Sequence, residues 1–269
     1  MNLKYLLLRL IRHFLPESIT RFLLRRGLII RPGLETREPA SAVTRYRDAL
    51  AIRGATITGK RVLVFGYGGN FAVGAELLRA GVRHVVLLDR FAPPDDRRNR
   101  ELVRAYPDYF SLRGDQVFTN ESFLTLIHDD VKNVRAEKFD LVLSSSVYEH
   151  LDDVDGLTQA LAALTAPSGI HIHYVDLRDH YFKLPFEMLK FSERTWKNWL
   201  NPTSNLNRFR MRDYQRVFET HFSKAEIHVL AREPEAFASA RSQIRPEFLT
   251  GDGSQDTVTL IEVIASHPK

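Results

Sequence analysis

The chain has 269 residues, of which 44% are hydrophobic, 26% are charged and none is cysteine, and its formal net charge is +5. This composition is typical of a soluble globular protein, and it excludes a disordered or collagen-like chain, a disulfide framework and a thiol nucleophile. Residues 1–31 carry seven basic residues against one acidic residue. The rest of the chain is therefore almost neutral, which argues against a nucleic acid as its partner.

The first 31 residues are predicted to form a basic helical arm. Apolar residues recur there at helical spacing, at Leu3, Leu6, Leu7, Leu10, Ile11 and Phe14. Pro16 interrupts this pattern, and a second helix is predicted from Glu17 to Arg26, ending at Gly27. Arginines break every apolar run of the arm, so neither a membrane span nor a secretory signal is predicted.

Two interpretations of the arm stay open at this point. The arm could pack on the rest of the protein as a pair of helices, acting as a lid or a dimer contact. Alternatively, it could lie on an anionic membrane surface with its basic residues near the headgroups. The protein is expected to be cytoplasmic, and to lie at the periphery of a membrane if the second interpretation holds.

After the arm, residues 32–59 are predicted to form a polar connector with a helix over Ala40–Arg53. From residue 60 onward, strands and helices alternate. The predicted strands are Arg61–Phe65, Val85–Leu88, Phe123–His128, Phe139–Leu143 and Ile170–Val175, and the predicted helices are Phe71–Ala80, Asp95–Tyr106 and Val154–Leu164. Pro167–Gly169 is predicted to be a turn. This alternation predicts an α/β fold with a parallel sheet and helices on both faces.

The last part of the chain departs from the alternation. A helix over Arg212–Phe222 is predicted to lead into two strands, Ala225–Leu230 and Thr257–Ile264, which pair at a sheet edge. Residues 176–211 are interpreted as an irregular insert that covers the substrate pocket. We therefore divide the chain into an arm (1–31), a connector (32–59) and a domain (60–269).

A glycine-rich loop and an acidic residue indicate an adenosine-type cofactor. The loop Gly66–Asn70 follows a predicted strand and opens a helix, where glycine lets a ligand approach the backbone. Asp89 closes the next strand, 21 residues after Gly68, where a carboxylate can accept hydrogen bonds from a ribose diol. Phe71 occupies the third glycine position of the dinucleotide fingerprint, which disfavours an NAD-dependent oxidoreductase.

Four motifs of this chain resemble those of class I S-adenosylmethionine-dependent methyltransferases, and they occur along the chain in the same order as in that family. Phe139–His150 resembles the segment around the fourth strand of that family, and Val62–Asn70 resembles its first motif. Ala166–Gly169 resembles the turn before its fifth strand, and Asp130-Val131 resembles the pair that meets the adenine ring. The resemblance implies a Rossmann-like, doubly wound sheet of seven strands with the last strand antiparallel, and S-adenosyl-L-methionine as the cofactor.

The resemblance also implies roles for individual residues. Gly66, Tyr67 and Gly68 should flank the methionine portion of the cofactor, and Asp89 the ribose, with Arg90 included in the cofactor-binding set. Asp130 and Val131 should meet the adenine, with Asp129 as the alternative to Asp130. Ser144 and Ser145 should border the sulfonium.

Two histidines are candidate general bases, because the unperturbed pKa of histidine lies near neutrality. His150 follows the fourth predicted strand and His180 the fifth. The candidate substrate-binding residues are Asp176, Arg178, Asp179, Trp196, Asn207 and Arg208. No metal site is predicted, although Asp176, Asp179 and His180 together are a carboxylate and imidazole set that could ligate a divalent cation.

These expectations combine into one hypothesis. The protein is predicted to transfer a methyl group to a hydroxyl, or another nucleophile, of a small molecule or of a glycan- or lipid-linked intermediate. The alternative is a protein with the methyltransferase fold that has no catalytic activity and serves as a scaffold or a membrane-associated partner subunit.

Overall fold

The computed structural model describes residues 3–15, 19, 34–179, 184–201 and 206–269. Within these ranges, no helix combines the length and the apolar content that crossing a membrane requires. The second predicted helix of the arm, at 17–26, lies almost wholly outside the described residues, and so does the predicted general base His180.

A seven-stranded sheet forms the centre of the protein, in the spatial order β5-β2-β1-β6-β7-β9-β8. The strands of the described chain are β1 Arg61–Phe65, β2 His84–Leu88, β3 Phe110–Arg113, β4 Gln116–Thr119, β5 Leu124–Ile127, β6 Phe139–Ser145, β7 Thr165–Asp176, β8 Phe222–Arg232 and β9 Val258–Pro268. Strands β5, β2, β1, β6 and β7 are parallel, and β9 is antiparallel to both of its neighbours. The predicted fold class, with its antiparallel last strand, is confirmed.

Helices cover both faces of this sheet. They are α1 Leu3–Phe14, α2 Leu34–Arg37, α3 Pro39–Ala51, α4 Ala72–Arg79, α5 Asp96–Ala105, α6 Val154–Ala163, α7 Glu193–Thr195, α8 Met211–His221, α9 Pro234–Ala240 and α10 Gly253–Asp256. Short 3₁₀ turns lie at Val131–Asn133, Tyr148–His150, Glu187–Lys190, Arg241–Gln243 and Pro246–Phe248, and a π turn at Trp196–Leu200.

The central strands are apolar on both faces because each face is covered. In β6, Leu141 and Leu143 belong to the core beneath α3 and α4, while Val142 belongs to the core beneath α6 and α8. Such unbroken apolar runs are typical of parallel strands with helices on both sides. The carboxyl ends of β1, β2, β5 and β6 consequently meet at one edge of the sheet, where polar residues follow each strand.

Two local predictions need correction. Pro167–Gly169 is not a turn, because β7 already begins at Thr165 and runs through these residues. The pairing of β7 with β6 shifts register between Phe139 and Leu141, and such an irregularity accommodates a proline inside a strand. The β3–β4 hairpin was missed, although its two-residue turn has Gly114 at its first position with φ of 60°, a recognised hairpin signal.

Helix α1 packs on the insert that follows β7. Tyr5 lies in an apolar core with Phe186, Phe191 and Trp196 of the insert. The Arg9 guanidinium is buried there, where it forms an ion pair with Asp179 and donates a hydrogen bond to the Leu200 carbonyl at 3.0 Å. Packing on the domain, predicted by one interpretation of the arm, is therefore observed for α1. Arg9 is therefore a basic residue of the arm that contacts the domain and not the surroundings.

Candidate functional site

A cavity of about 350 Å³ opens at the carboxyl ends of β1, β2, β5 and β6. Its wall is formed by residues that follow these strands and by one residue of α6: Phe65, Gly66, Asp89, Arg90, Phe91, Ala92, Asp129, Asp130, Val131, Lys132, Ser146, Val147, His150, Leu151, Asp152, Asp153 and Leu157. Open α/β sheets bind their ligands at this edge. The wall contains six of the predicted site residues, namely Gly66, Asp89, Arg90, Asp130, Val131 and His150.

The Asp89 carboxylate connects the glycine loop to the segment after β2. Its Oδ2 accepts a hydrogen bond from the Gly68 amide at 3.0 Å. Its Oδ1 accepts from the amides of Phe91 and Ala92, both at 2.8 Å. A carboxylate offers about four acceptor positions, so Oδ2 keeps one position for a hydroxyl of a ligand in the cavity.

The glycine loop owes its shape to backbone conformation and to close packing. Gly66 has a φ of 79°, and a Cβ on it would lie 2.4 Å from a methyl carbon of Val147, so only glycine fits. Gly68 has a φ of 64°, and nothing lies within 4 Å of where its Cβ would be. The loop therefore leaves open space at Gly68, next to the bond that Gly68 makes with Asp89.

Asn99 of α5 holds the glycine loop from behind, a role that the sequence reasoning missed. Its side chain is fully buried, accepts a hydrogen bond from the Phe71 amide and donates one to the Gly69 carbonyl, both at 2.9 Å. Phe71 occupies the position of the absent third glycine and stacks on Phe110 at 5.8 Å between ring centroids. The phenylalanine at this position of the dinucleotide fingerprint therefore contributes to the packing of the core.

Tyr67 is not part of the cavity wall. Its ring is buried in the core beneath α3 and α4, near Phe71. Burial, and then the charge of Asp89, raise the pKa of Tyr67 to about 12. The phenol therefore stays neutral at physiological pH.

The segment after β5 places two carboxylates and one apolar side chain at the cavity. Asp130 accepts a hydrogen bond from the Lys132 amide at 3.0 Å and forms an ion pair with Arg90 at 2.8 Å. Asp129 accepts bonds from the Asp130 amide and from Asn133, and these bonds lower the pKa of Asp129. Val131 is buried between this segment and the sheet. Both Asp129 and Asp130 reach the cavity wall.

The cavity wall carries an excess of negative charge. Its five carboxylates, Asp89, Asp129, Asp130, Asp152 and Asp153, face two cations, Arg90 and Lys132. Lys132 forms an ion pair with Asp153 at 2.6 Å, which lowers the pKa of Asp153. Charges of one sign that line a cleft attract ligands of the opposite sign. This wall favours a cationic ligand and disfavours the pyrophosphate of a dinucleotide.

His150 lies on the cavity wall in the 3₁₀ turn Tyr148–His150. Asn207 of the insert holds this turn in place, because its side-chain amide donates to the carbonyls of Tyr148 at 2.8 Å and Leu151 at 3.1 Å. The Asn207 backbone amide adds a bond to the Glu149 carbonyl at 3.0 Å. In this structure the predicted substrate residue Asn207 therefore positions the loop of His150.

Ser144 and Ser145 do not belong to the cavity wall. The Ser144 hydroxyl is buried on the α6 and α8 side of the sheet, within 2.7 Å of His173 Nδ1. The hydrogen-bond chain continues from His173 to His171 at 3.1 Å and from His171 to the Thr165 hydroxyl at 2.7 Å. Ser146 and Val147, the next residues along the chain, reach the cavity instead. Ser146 does so with a φ of 56°, which is rare for a residue with a side chain.

The buried histidine pair predicts acid sensitivity of the fold. Burial lowers the pKa of His171 to about 3, and burial together with repulsion from His171 lowers the pKa of His173. Above about pH 6.5 both side chains are neutral in the folded and unfolded states. Below that pH the unfolded chain binds protons that the folded chain excludes, so the free energy of unfolding falls by up to about 1.4 kcal/mol per pH unit for each histidine.

Urea unfolding between pH 7.5 and pH 5 measures this effect. His171→Gln should flatten the loss of stability with falling pH, because one titrating group is removed. His267→Gln is the matched control, since His267 is exposed near the C-terminus, and it should leave the slope unchanged. Equal slopes for the wild type and both variants would contradict the assignment of the acid sensitivity to the buried pair.

The other predicted substrate residues make contacts away from the cavity. Asp176 forms an ion pair with Arg178 at 2.8 Å, and Asp179 accepts from Tyr5 at 2.6 Å and pairs with Arg9. None of these predicted residues is part of the cavity wall. Their carboxylates already have cationic partners, which leaves the divalent-cation alternative without support from the described residues.

Trp196 and Arg208 are buried in the core of the insert. The Trp196 ring lies between two guanidinium groups, with Arg9 at 4.8 Å and Arg208 at 5.3 Å from its centroid. Arg208 also donates to the carbonyls of Met188 and Phe191 and pairs with Glu193. Both side chains therefore stabilise the insert and are not available to a ligand in the cavity.

Comparison with known proteins settles the family. The sequence model of the methyltransferase domain matches residues 11–233. The chain belongs to the methyltransferase domain family. S-adenosylmethionine is the cofactor of this family, which confirms the expected cofactor. No curated protein is a significant match to this sequence.

Solved methyltransferase structures share the fold of this family member at low sequence identity. A candidate sarcosine dimethylglycine methyltransferase from Galdieria sulphuraria is 15% identical, with a TM-score of 0.52 over 93% of this chain and 97% of that one. A 1,6-didemethyltoxoflavin-N1-methyltransferase from Burkholderia thailandensis, with its substrate and S-adenosylhomocysteine bound, is 16% identical, with a TM-score of 0.51 over 94% and 87%. The N-terminal domain of EvdMO1 with SAH bound is 14% identical, with a TM-score of 0.50 over 86% and 82%.

Proposed function

We propose that this family member is an active methyltransferase that transfers the methyl group of S-adenosylmethionine to a hydroxyl group. The acceptor is a small molecule or a glycan- or lipid-linked intermediate. The observation that carries the proposal is the acidic cavity at the carboxyl ends of β1, β2, β5 and β6, with His150 on its wall. An excess of carboxylates suits the positive charge of a sulfonium and opposes a pyrophosphate.

The cavity residues suggest how the cofactor is held. Asp89 has one remaining acceptor position for a ribose hydroxyl, and the open space at Gly68 adjoins it. Asp130 and Val131 are assigned to the adenine, with Arg90 paired to Asp130 across the wall. The backbone at Gly66 and Gly68 is assigned to the methionine portion. Gly68, Tyr67, Ser144 and Ser145 all lie outside the cavity wall. Only Gly68 is kept, because its amide bonds to Asp89 of the wall.

The same wall offers apolar surfaces for a flat ring. Val131, Val147, Leu151 and Leu157 all border the cavity, beside the carboxylates that follow β2 and β5. A cofactor with an adenine ring, a ribose diol and a cationic centre needs these three kinds of surface together. The described residues therefore fit S-adenosylmethionine, and the fit rests on this chain's own side chains.

S-adenosylmethionine, when bound, supplies a methyl carbon on a sulfonium. Transfer of that methyl group to the acceptor oxygen would leave S-adenosylhomocysteine as the other product, and the acceptor would give up its hydroxyl proton. The hydroxyl proton passes to the imidazole of His150, which is assigned as general base. Asn207 keeps the His150 turn against the cavity through its bonds to Tyr148 and Leu151.

A methyl-transfer assay with His150→Gln tests the proposed role. The wild-type chain is incubated with S-adenosylmethionine labelled on the methyl group and with small-molecule, glycan and lipid fractions of a cell extract. Label that resists mild base should appear in one fraction, as expected for a methyl ether. Removing a general base typically costs about a hundredfold to ten-thousandfold in rate, so His150→Gln should lose most of this label while S-adenosylhomocysteine binding stays near that of the wild type.

The exposed His267 again provides the matched control, and His267→Gln should transfer methyl groups like the wild type. Base-labile label would indicate a carboxylate acceptor and contradict the hydroxyl assignment. Binding of S-adenosylhomocysteine without label in any fraction would contradict catalysis and favour the non-catalytic alternative.

A further inference from the structure

Helix α1 has apolar side chains on more than one side. It buries Tyr5 and Arg9 almost completely, and Leu6 and Leu10 pack, partly buried, against the same core. Large apolar side chains face outward, with exposed fractions of 72% for Leu3, 56% for Leu7, 48% for Ile11 and 72% for Phe14. A helix that only packs on its own domain normally buries its apolar stripe. The outward stripe therefore requires a separate explanation.

The helical geometry makes these side chains one continuous stripe. Leu3, Leu7, Ile11 and Phe14 are separated by four, four and three residues, so they follow one side of the helix. Tyr5 lies two residues from both Leu3 and Leu7, which places it about 200° around the helix axis from each of them. The burial of Tyr5 and Arg9 thus fixes the stripe on the side that faces away from the domain.

The insert extends this surface. Trp199 is 49% exposed although tryptophan is the largest apolar side chain. The His13 ring bridges it to the helix, with its centroid 5.4 Å from that of Trp199 and 4.9 Å from that of Phe14. We call Leu3, Leu7, Ile11, Phe14 and Trp199 together the apolar face. It joins two parts of the chain that lie 185 residues apart in sequence, between Phe14 and Trp199.

We infer that the apolar face docks on an anionic lipid bilayer. Apolar helix faces insert into the boundary between headgroups and acyl chains, and nearby basic residues attract anionic headgroups. Lys4 is exposed on α1, and residues 1–31 have seven basic residues and one acidic residue, whereas the rest of the chain is almost neutral. Asp179 neutralises Arg9, so Lys4 is the described basic residue of α1 that is exposed beside the apolar face, and the net positive charge of the 1–31 sequence has the sign that anionic headgroups attract.

Docking in this way needs no rearrangement of the domain. Tyr5 and Arg9 are held by Asp179, and Arg9 also bonds the Leu200 carbonyl, so α1 stays attached to the insert while its other side meets the lipid. Trp199 adds an aromatic side chain, a residue type enriched where membranes meet water. The inference is independent of the proposed methyl transfer, because it rests on a surface that is separate from the cavity.

Vesicle binding of the full chain tests the inference. The protein is sedimented with vesicles of phosphatidylcholine alone and of phosphatidylcholine mixed with phosphatidylglycerol. Binding should require phosphatidylglycerol and weaken at high salt. It should fall on the order of tenfold or more in the double variant Leu7→Glu/Ile11→Glu, because both substitutions place a charge in the apolar contact. Ile52→Glu is the matched control, because Ile52 is 83% exposed and lies after α3, outside the apolar face.

Fluorescence provides a second readout at the contact itself. Trp196 is buried and Trp199 is exposed, so a blue shift on adding anionic vesicles should disappear in Trp199→Phe. Absence of binding to anionic vesicles would overturn the inference, as would binding that Leu7→Glu/Ile11→Glu leaves unchanged. A change from dimer to monomer in that variant, with vesicle binding unaltered, would overturn it in favour of a second copy of this chain as the occupant.

Discussion

Asp89→Asn is expected to weaken the binding of S-adenosylhomocysteine by roughly tenfold to a hundredfold. The Asp89 carboxylate accepts three backbone amide bonds, from Gly68, Phe91 and Ala92, and the proposal gives its remaining acceptor position to the ribose. Asparagine has the same shape but only one acceptor oxygen. Its side-chain NH₂ group would therefore face backbone N–H donors with which it cannot form a hydrogen bond. Hydrogen bonds to a charged group contribute about 1.5–3 kcal/mol, which corresponds to this loss of affinity.

Isothermal titration of S-adenosylhomocysteine into the wild type and the variant measures the effect. Asp115→Asn is the matched control, because Asp115 is 94% exposed in the β3–β4 turn and pairs only at the surface with Arg100. It should leave affinity unchanged. Thermal unfolding of each variant shows whether Asp89→Asn has lost the fold as well. A folded Asp89→Asn protein that binds like the wild type would remove Asp89 from the proposed site.

Asp179→Asn is expected to produce the largest loss of stability, about 3–5 kcal/mol in the free energy of unfolding. Asp179 is fully buried, pairs with Arg9 and accepts from Tyr5 at 2.6 Å. Burial lowers the pKa of Arg9, but the charges of Asp179 and Tyr5, together with the hydrogen bonds to both, raise it overall. A guanidinium stays charged in proteins, so removing Asp179 leaves an uncompensated buried charge, which is costly.

Urea unfolding measures this loss, and hydrogen exchange locates it in α1 and the insert. The double variant Arg9→Met/Asp179→Leu removes both charges together. It should recover more than half of the free energy of unfolding that Asp179→Asn loses, because apolar replacements of a buried ion pair are well tolerated. Asp115→Asn should cost less than about 1 kcal/mol, as is usual for an exposed pair. A double variant no more stable than Asp179→Asn would show that the stability comes from packing and not from the charge pair.

Much of the fold was predictable because it depends on short apolar runs. In Arg61–Phe65, Phe139–Leu143 and Ile170–Val175 the runs are bounded by polar or turn residues, and each lies within an observed strand. The alternation with helices then restricts the sheet to parallel pairing with right-handed connections. The two C-terminal strands pair at the sheet edge as expected, with β8 outermost.

The candidate site was predictable where a residue lies within a few positions of the carboxyl end of a strand. Asp89, Asp130 and His150 all follow strands that end at one edge of the sheet, and all three line the cavity. The prediction fails for Ser144 and Ser145, because β6 continues through Ser145 and the cavity begins only after the end of the strand. The Ser144 hydroxyl meets His173, while Ser146 lies past the end of β6 and reaches the cavity.

The roles of the insert and of α1 depend on pairings that are distant in sequence. Asp179 and Trp196 have the composition of a ligand site, yet both meet Arg9, which lies 170 residues before Asp179. No local pattern reveals such a contact, and helical periodicity alone points the leucines of α1 inward. Leu6 and Leu10 do pack inward, whereas Leu3 and Leu7 are exposed because Arg9 occupies the inward side with its partner Asp179.

The central claim is that the acidic cavity binds an S-adenosyl compound, and titration of the wild-type chain with S-adenosylhomocysteine tests it most directly. We expect saturable binding at one site with a dissociation constant of about 1–100 μM, or roughly −8 to −5.5 kcal/mol, and no competition from NAD. Absence of binding at high micromolar concentration, or displacement of S-adenosylhomocysteine by NAD at similar concentrations, would contradict it.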